Sequence, residues 1–406
     1  MVAATFNTGL FTPPTSPELK PKQQLPSFNA PAPSCSKVKL VIPPELLPFA
    51  ASANASAPLY YSLSTETKAR VAVLQAYANS PVQFQTRYQV RSVIGFGSNG
   101  VVLSAVDLAS ESHVPVAIKI IYKTVKGNTQ ATPVEIASLH ELNSIVHSNF
   151  LLRCFAAWQD DYHFYLVTEL FGSNWLVGNT EPLKPLLFKT VANGTSTMHG
   201  LPFAAGASDL WAYIYACRSH LYKTEGHTSI PHKLIKHVIH QIASALLVMH
   251  DAGYYHGDIK VENILVQSST DAQSPRIMLA DYGHTKQAHE GIKSYGTLEV
   301  APPEFLCDSP LRGSHIDGRS SDVFALGILL SVLLSDTGDV PSAILGMRNG
   351  SIGFNALMQN GGTFPFDQNA YLDAEILDLL DGMCRVVSDE RMTMDMVIEH
   401  PWFSQQ

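Results

Sequence analysis

The chain has no cysteine pair at metal or redox spacing. Its five cysteines, Cys35, Cys154, Cys217, Cys307 and Cys384, are scattered, and no histidine cluster accompanies them. This argues against a disulfide scaffold or a zinc motif and leaves free thiols in a reducing compartment as the plain expectation. A basic excess is also missing. A net charge of −8 and a pI near 6.0 argue against a nucleic-acid binder held by a broad basic surface. No run of about 18 apolar residues exists to span a membrane. The N-terminus, MVAATFNTGLFTPPTSPELKPK, has neither a basic n-region nor a long apolar core, so no secretory signal is expected. These absences predict a cytoplasmic or nuclear protein with no membrane and no nucleic-acid partner. The sequons at Asn54 and Asn193 then read as chance matches.

With 406 residues, 46% of them hydrophobic, the chain can bury one large core or two moderate ones. Residues 1–55 are rich in Pro, Ser, Ala and Thr without sustained periodicity and read as a disordered tail. Thr12-Pro13 and Ser16-Pro17 fit proline-directed phosphorylation sites, although a solvated tail is the plainer reading. A partly helical extension is expected over 56–86, with Val71, Val73, Leu74 and Tyr77 at helical spacing.

From Arg87 the pattern changes. Tyr88–Ile94, Val101–Val106, Val114–Ile121, Phe155–Trp158 and Phe164–Thr168 read as five strands, and Thr132–Val146 as a helix. After Glu169 helical patterns dominate: Lys233–Asp251, Arg319–Ser335 and Asp373–Val386. A small sheet-rich lobe at about 87–170 and a larger helical lobe at about 171–404 follow, an α+β architecture. Residues 172–208, rich in Gly and Pro, read as an inserted loop, and 337–366 as loop-like.

Gly95-Phe-Gly97-Ser-Asn-Gly100-Val-Val102 fits GxGxxGxV, a pattern shared with dinucleotide-binding folds. Those folds require a helix after the glycines, whereas Val101–Asp107 reads as a strand. A strand–turn–strand lid suits covering the phosphates of ATP with backbone N–H groups. Lys119, in Val116-Ala-Ile-Lys119, lies 19 residues after Gly100 in an apolar strand. A buried ammonium needs an anion. Glu135 on the following helix is the candidate, with Glu141 the alternative.

Tyr255-His-Gly-Asp258-Ile-Lys260-Val-Glu-Asn263 follows an amphipathic helix, and Leu279-Ala-Asp281-Tyr-Gly283 comes after it. This order resembles the eukaryotic protein kinase family, whose pattern is HRDxKxxN then DFG. The resemblance runs from about Tyr88 to Phe403, in a domain bounded at about 87–404. Pro302-Pro303-Glu304, Asp322-Val-Phe-Ala-Leu-Gly327, Arg391 and His400-Pro-Trp-Phe403 extend it.

The resemblance implies a two-lobed protein-kinase fold with ATP in the cleft, and a serine/threonine kinase acting on protein substrates. Asp258 would accept or orient the substrate hydroxyl. Lys260 would neutralise charge on the γ-phosphate, with Thr297 bonded to both. Lys119, paired with Glu135, would hold the α- and β-phosphates. Asn263 and Asp281 would bind Mg²⁺. Ile94, Gly95, Gly97, Gly100, Val102, Ala117, Glu169, Phe171 and Leu265 would contact the nucleotide, with Thr168 the gatekeeper. Leu139, His256 and Tyr282 would belong to the hydrophobic spine.

Two positions depart from the pattern. Gly257 replaces the arginine that usually binds a phosphate on the activation loop, so activity independent of loop phosphorylation is expected. HGD together with DYG resembles the vaccinia-related kinases, while the PPE, DVFALG and HPWF features resemble the calmodulin-dependent and cell-cycle branches. An ATP-binding pseudokinase is the alternative, although Lys119, Asp258 and Asp281 are all present. The 172–208 insertion and the N-terminal tail are the places where a regulatory partner is expected.

Overall fold

The computed structural model describes residues 39–41 and 63–404, apart from 125–126, 128–129, 177–182, 193, 269–273, 298–299, 307, 312 and 367–372. Most of the 1–55 tail, Asn54, Asn193, Cys35 and Cys307 lie outside the described residues. Within that tail, residues 39–41 form a strand, β1 (Lys39–Val41). Three residues are too short a stretch to show a sequence period. Helix α1 (Thr65–Asn79) follows, capped by Ser64, whose Oγ accepts from Thr67 N at 3.2 Å.

The smaller lobe is built on an antiparallel sheet of β2 (Tyr88–Phe96), β3 (Gly100–Asp107), β4 (Pro115–Tyr122), β5 (Cys154–Gln159) and β6 (His163–Glu169). Its order is β2-β3-β4-β6-β5. Alternation decides what each face meets. Val101, Leu103, Ile118, Ile120, Tyr165 and Val167 turn to one face, where α1 supplies Ala69, Val73, Ala76 and Tyr77. Phe164 and Leu166 turn to the other, against Ile136 and Leu139 of α2 (Val134–Ile145). Burial on both faces explains why β6 reads as an unbroken apolar run.

The 172–208 segment is not the loop its composition suggests. β7 (Trp175–Leu176) pairs with a later short strand, and β8 (Leu186–Ala192) and β9 (Thr195–Leu201) form a hairpin. Leu186, Phe188 and Leu201 point inward and join the same core as α1. β1 pairs with the edge of β8 to complete a three-stranded sheet. The short strand is β10 (Gly206–Ala207). The extension before Arg87 and the insertion therefore share one core with the smaller lobe, because neither alone has enough apolar surface to fold.

The larger lobe packs around α3 (Leu210–Glu225), α4 (His232–Asp251) and α5 (Gly318–Leu334). α4 buries Leu234, Ile235, Val238, Ile239, Ile242 and Leu246 on one stripe. α5 is buried almost all round, which carries Asp322 into the core with no exposed surface. The loop-like 337–366 segment contains α6 (Ser342–Asn349) and α7 (Phe354–Gln359). Among the described residues no helix is long and apolar enough to cross a membrane.

Candidate active site

A cleft of about 460 Å³ separates the two lobes. From the smaller lobe it is lined by Ile94, Gly95, Gly97, Gly100, Val102, Ala117 and Lys119, and from the connection between lobes by Thr168, Glu169 and Phe171. Leu265, Asn263 and Asp281 close it from the larger lobe. Every residue expected at the nucleotide or the metal is thus brought to one cavity.

The β2–β3 turn is closed by Gly97 N donating to Gly100 O at 2.9 Å. Gly100 runs so near β4 that a Cβ would stand 2.5 Å from Ile120 O, so the loop needs glycine there.

Lys119 points from β4 toward α2 and donates to Glu135 Oε1 at 2.6 Å, with Asp281 Oδ1 at 3.6 Å. Glu141, the alternative partner, instead accepts from Gln287 Nε2 at 3.0 Å. Burial works against the Lys119 ammonium, but Glu135 and Asp281 overcome it and hold its pKa above the ordinary value. Burial pushes the Glu135 carboxyl up more than Lys119 pulls it down. For Asp281 burial is outweighed by Lys119, and its pKa falls. Asp281 sits in the left-handed region at φ 60° and ψ 76°, an uncommon place for a non-glycine residue and one that Asp tolerates better than most.

Beside the cleft lies a second cluster. Asp322 Oδ2 accepts from His256 N at 2.7 Å and Oδ1 from Gly257 N at 2.8 Å. Gly257 has φ +77°, so glycine relieves strain at a turn that the buried Asp322 holds. Next to it, Asp258 Oδ2 accepts from Asn263 Nδ2 at 2.8 Å and lies 3.0 Å from Lys260 Nζ. Asp258 Oδ1 is buried and has no hydrogen-bond partner. Lys260 Nζ also donates to Thr297 Oγ1 at 2.7 Å, so Asp258, Lys260 and Thr297 form one unit. An orphaned buried carboxylate oxygen costs free energy unless a ligand supplies a donor.

The residues present fit a magnesium nucleotide. Asn263 spends its Nδ2 on Asp258, which leaves its carbonyl oxygen free to act beside the Asp281 carboxylate. Two hard oxygen donors are what Mg²⁺ takes from protein when phosphate and water complete its shell. Among the described residues no group of three or more His, Cys, Asp or Glu forms a closed metal cage.

His256 and Tyr282 pack together under the cleft, ring centroids 5.6 Å apart and planes tilted by 50°. Burial lowers the His256 pKa. Farther off, Arg391 donates to Glu304 twice, at 2.9 and 2.5 Å, both side chains fully buried. Sequence reasoning missed Phe96 of the glycine loop and the residues at the insertion's end, Ala207, Ser208 and the adjoining Asp209, all of which also line the cleft. Asp209 caps α3 through Ala212 N at 2.8 Å. Its place before an apolar run was a readable capping signal.

Residues 211–403 match the protein kinase domain family. Serine/threonine-protein kinase SBK1 of Danio rerio is 33% identical over 146 residues, 36% of this chain and 36% of that protein. Serine/threonine-protein kinase PKZ1 of Phytophthora infestans is 28% identical over 191 residues, 43% of this chain and 46% of that protein. The match thus spans less than half the length of these two relatives. Calcium/calmodulin-dependent protein kinase type 1 of Macrobrachium nipponense is 26% identical over 328 residues, 79% of this chain and 76% of that protein. The two-lobed fold, with its cleft between sheet and helices, is that of a protein kinase domain.

Proposed function

We propose that the protein transfers the γ-phosphate of Mg-ATP to Ser or Thr hydroxyls of protein substrates. The observation that carries this reading is Asp258: one carboxylate oxygen is held by Asn263 and Lys260, and the other is buried with no hydrogen-bond partner. A substrate hydroxyl supplies the donor that Oδ1 lacks, and Asp258 orients it and takes its proton. Lys260, held by Thr297, brings positive charge to the transferring group. Lys119, fixed by Glu135, faces the phosphates, and the turn at Gly95–Gly100 covers them. Asn263 and Asp281 would hold the metal, which would neutralise phosphate charge.

Loop phosphorylation is not needed in this reading. Gly257 offers no cation to dock a phosphate. Of the loop hydroxyls Thr285, Ser294 and Tyr295, Thr285 is fully buried and donates to His256 O at 3.3 Å, Tyr295 is nearly so, its hydroxyl accepting from Ile259 N at 2.9 Å, and Ser294 is exposed.

The test is incorporation of phosphate from Mg-ATP into a generic Ser/Thr protein substrate. Asp258→Asn should lower the rate by about 10²- to 10⁴-fold, the usual worth of a positioned general base. Chelation of Mg²⁺ should abolish incorporation. Equal incorporation by wild type and Asp281→Ala would leave the pseudokinase reading standing. Phosphatase treatment should leave activity within about twofold; a large loss would sink the claim of independence from loop phosphorylation.

A further inference from the structure

We infer that the inserted hairpin holds the glycine loop over the nucleotide, with Phe203 as the positioning residue. The inference rests on reading the cleft as the nucleotide site.

Three contacts tie the insertion to the loop. Val93, the buried residue of β2 just before the glycines, donates from N to Pro202 O at 2.9 Å and accepts at O from Ala204 N at 2.8 Å. The chain on either side of Phe203 is thereby fastened to the strand that carries the loop. Phe203 itself meets Phe96 edge to face, ring centroids 5.7 Å apart and planes at 87°. Phe96 stands between Gly95 and Gly97 and lines the cleft. Glycines make the loop pliant, so a side chain anchored at its first turn removes much of that freedom.

Phe203 is itself held from behind. The Arg70 guanidinium of α1 lies 4.6 Å from the centre of its ring. Arg70 also donates to Glu66 Oε1 at 2.8 Å and to Lys184 O at 2.6 Å, at the start of the hairpin. A continuous path therefore runs from α1 through Arg70 and Phe203 to Phe96 at the cleft. Phe203 is buried, while Phe96 is 37% exposed. The buried ring is the anchor, and the half-exposed loop ring is the one it restrains.

A loop restrained near its nucleotide-bound position spends less ordering entropy on binding, so affinity rises. The structure assigns this role to a residue outside the nucleotide-contacting set.

The experiment measures ATP affinity of the full chain directly, by titration, together with melting temperature without nucleotide. Phe203→Leu keeps apolar volume and removes the ring edge. It should weaken ATP binding about 3- to 10-fold, the worth of one aromatic pair, while the melting temperature falls by no more than about 4 °C. Phe203→Tyr should restore the affinity. Phe96→Leu should weaken binding to a similar extent, and the double variant should be no worse than either single one. Unchanged affinity in Phe203→Leu, or additive losses in the double variant, would overturn the inference. So would a fall in affinity that only mirrors a fall in melting temperature. Failure of the wild type to bind ATP would instead defeat the nucleotide reading of the cleft, and this inference with it.

Discussion

Gly296 passes so near Asp258 that a Cβ added to it would stand 2.6 Å from the aspartate's carboxyl carbon. The segment at Gly296 is laid directly on the carboxylate proposed to orient the substrate hydroxyl, and only a residue without a side chain leaves both in place. Gly296→Ala must push one of them aside. Misplacement by about 1 Å costs on the order of 10²-fold in rate. The variant should lose about that much phosphate transfer while binding ATP as the wild type does. Steady-state rates beside a nucleotide titration check it.

Lys119→Met removes the cation from Glu135. Lys119 keeps 25% of its side chain exposed, so the loss should fall below that of a fully buried pair, at about 2 kcal/mol. The sign with pH is fixed. A carboxyl whose native pKa is raised favours the fold below its ordinary value of 4.5 and loses that contribution as pH climbs through the native value. Without Lys119 the native value rises further. Denaturant titrations should show the variant losing more stability at pH 7 than at pH 5; a larger deficit at pH 5 would contradict the pairing.

Glu304 and Arg391 are both fully buried and doubly hydrogen-bonded, and Ser321 Oγ adds a bond to Glu304 at 3.1 Å. Arg391→Ala leaves an uncompensated carboxylate in the core and should cost about 3–5 kcal/mol. Replacing both partners together by apolar residues should recover part of that, because no charge remains stranded. Urea melts of the single and double variants decide it.

Burial lowers the His163 pKa from 6.5 to about 4. A base with a depressed native pKa stabilises the fold above its unfolded value, and the contribution drains away as pH falls toward the native one. Between pH 7 and 5 this single ring should account for about 2 kcal/mol of lost stability. His163→Phe should flatten the profile over that interval. Parallel profiles for the two proteins would rule it out.

Much of the smaller lobe was legible because period-2 alternation in Tyr88–Phe96, Gly100–Asp107 and Pro115–Tyr122 is strong and local. The hairpin at 186–201 was not. Its inward residues Leu186, Phe188 and Leu201 are few, glycines and prolines surround them, and their partner α1 lies more than a hundred residues earlier. The site behaved similarly. Lys119, Asp258, Asn263 and Asp281 stand out because chemistry demands those residue types at those spacings. Phe96 and Asp209 did not stand out, since an aromatic between glycines and a helix cap both have local uses.

The amino-acid sequence by itself determined which side chains are proposed for catalysis and metal binding, the two-lobe division and the choice of glycine at 257. These depend on residue type and short spacing. Only the tertiary structure decided that Glu135 rather than Glu141 meets Lys119, that Asp258 keeps one buried oxygen without a hydrogen-bond partner, and that Phe203 reaches Phe96. Those outcomes depend on which distant faces pack together, and burial of apolar surface between remote segments leaves no mark in the local pattern of either one.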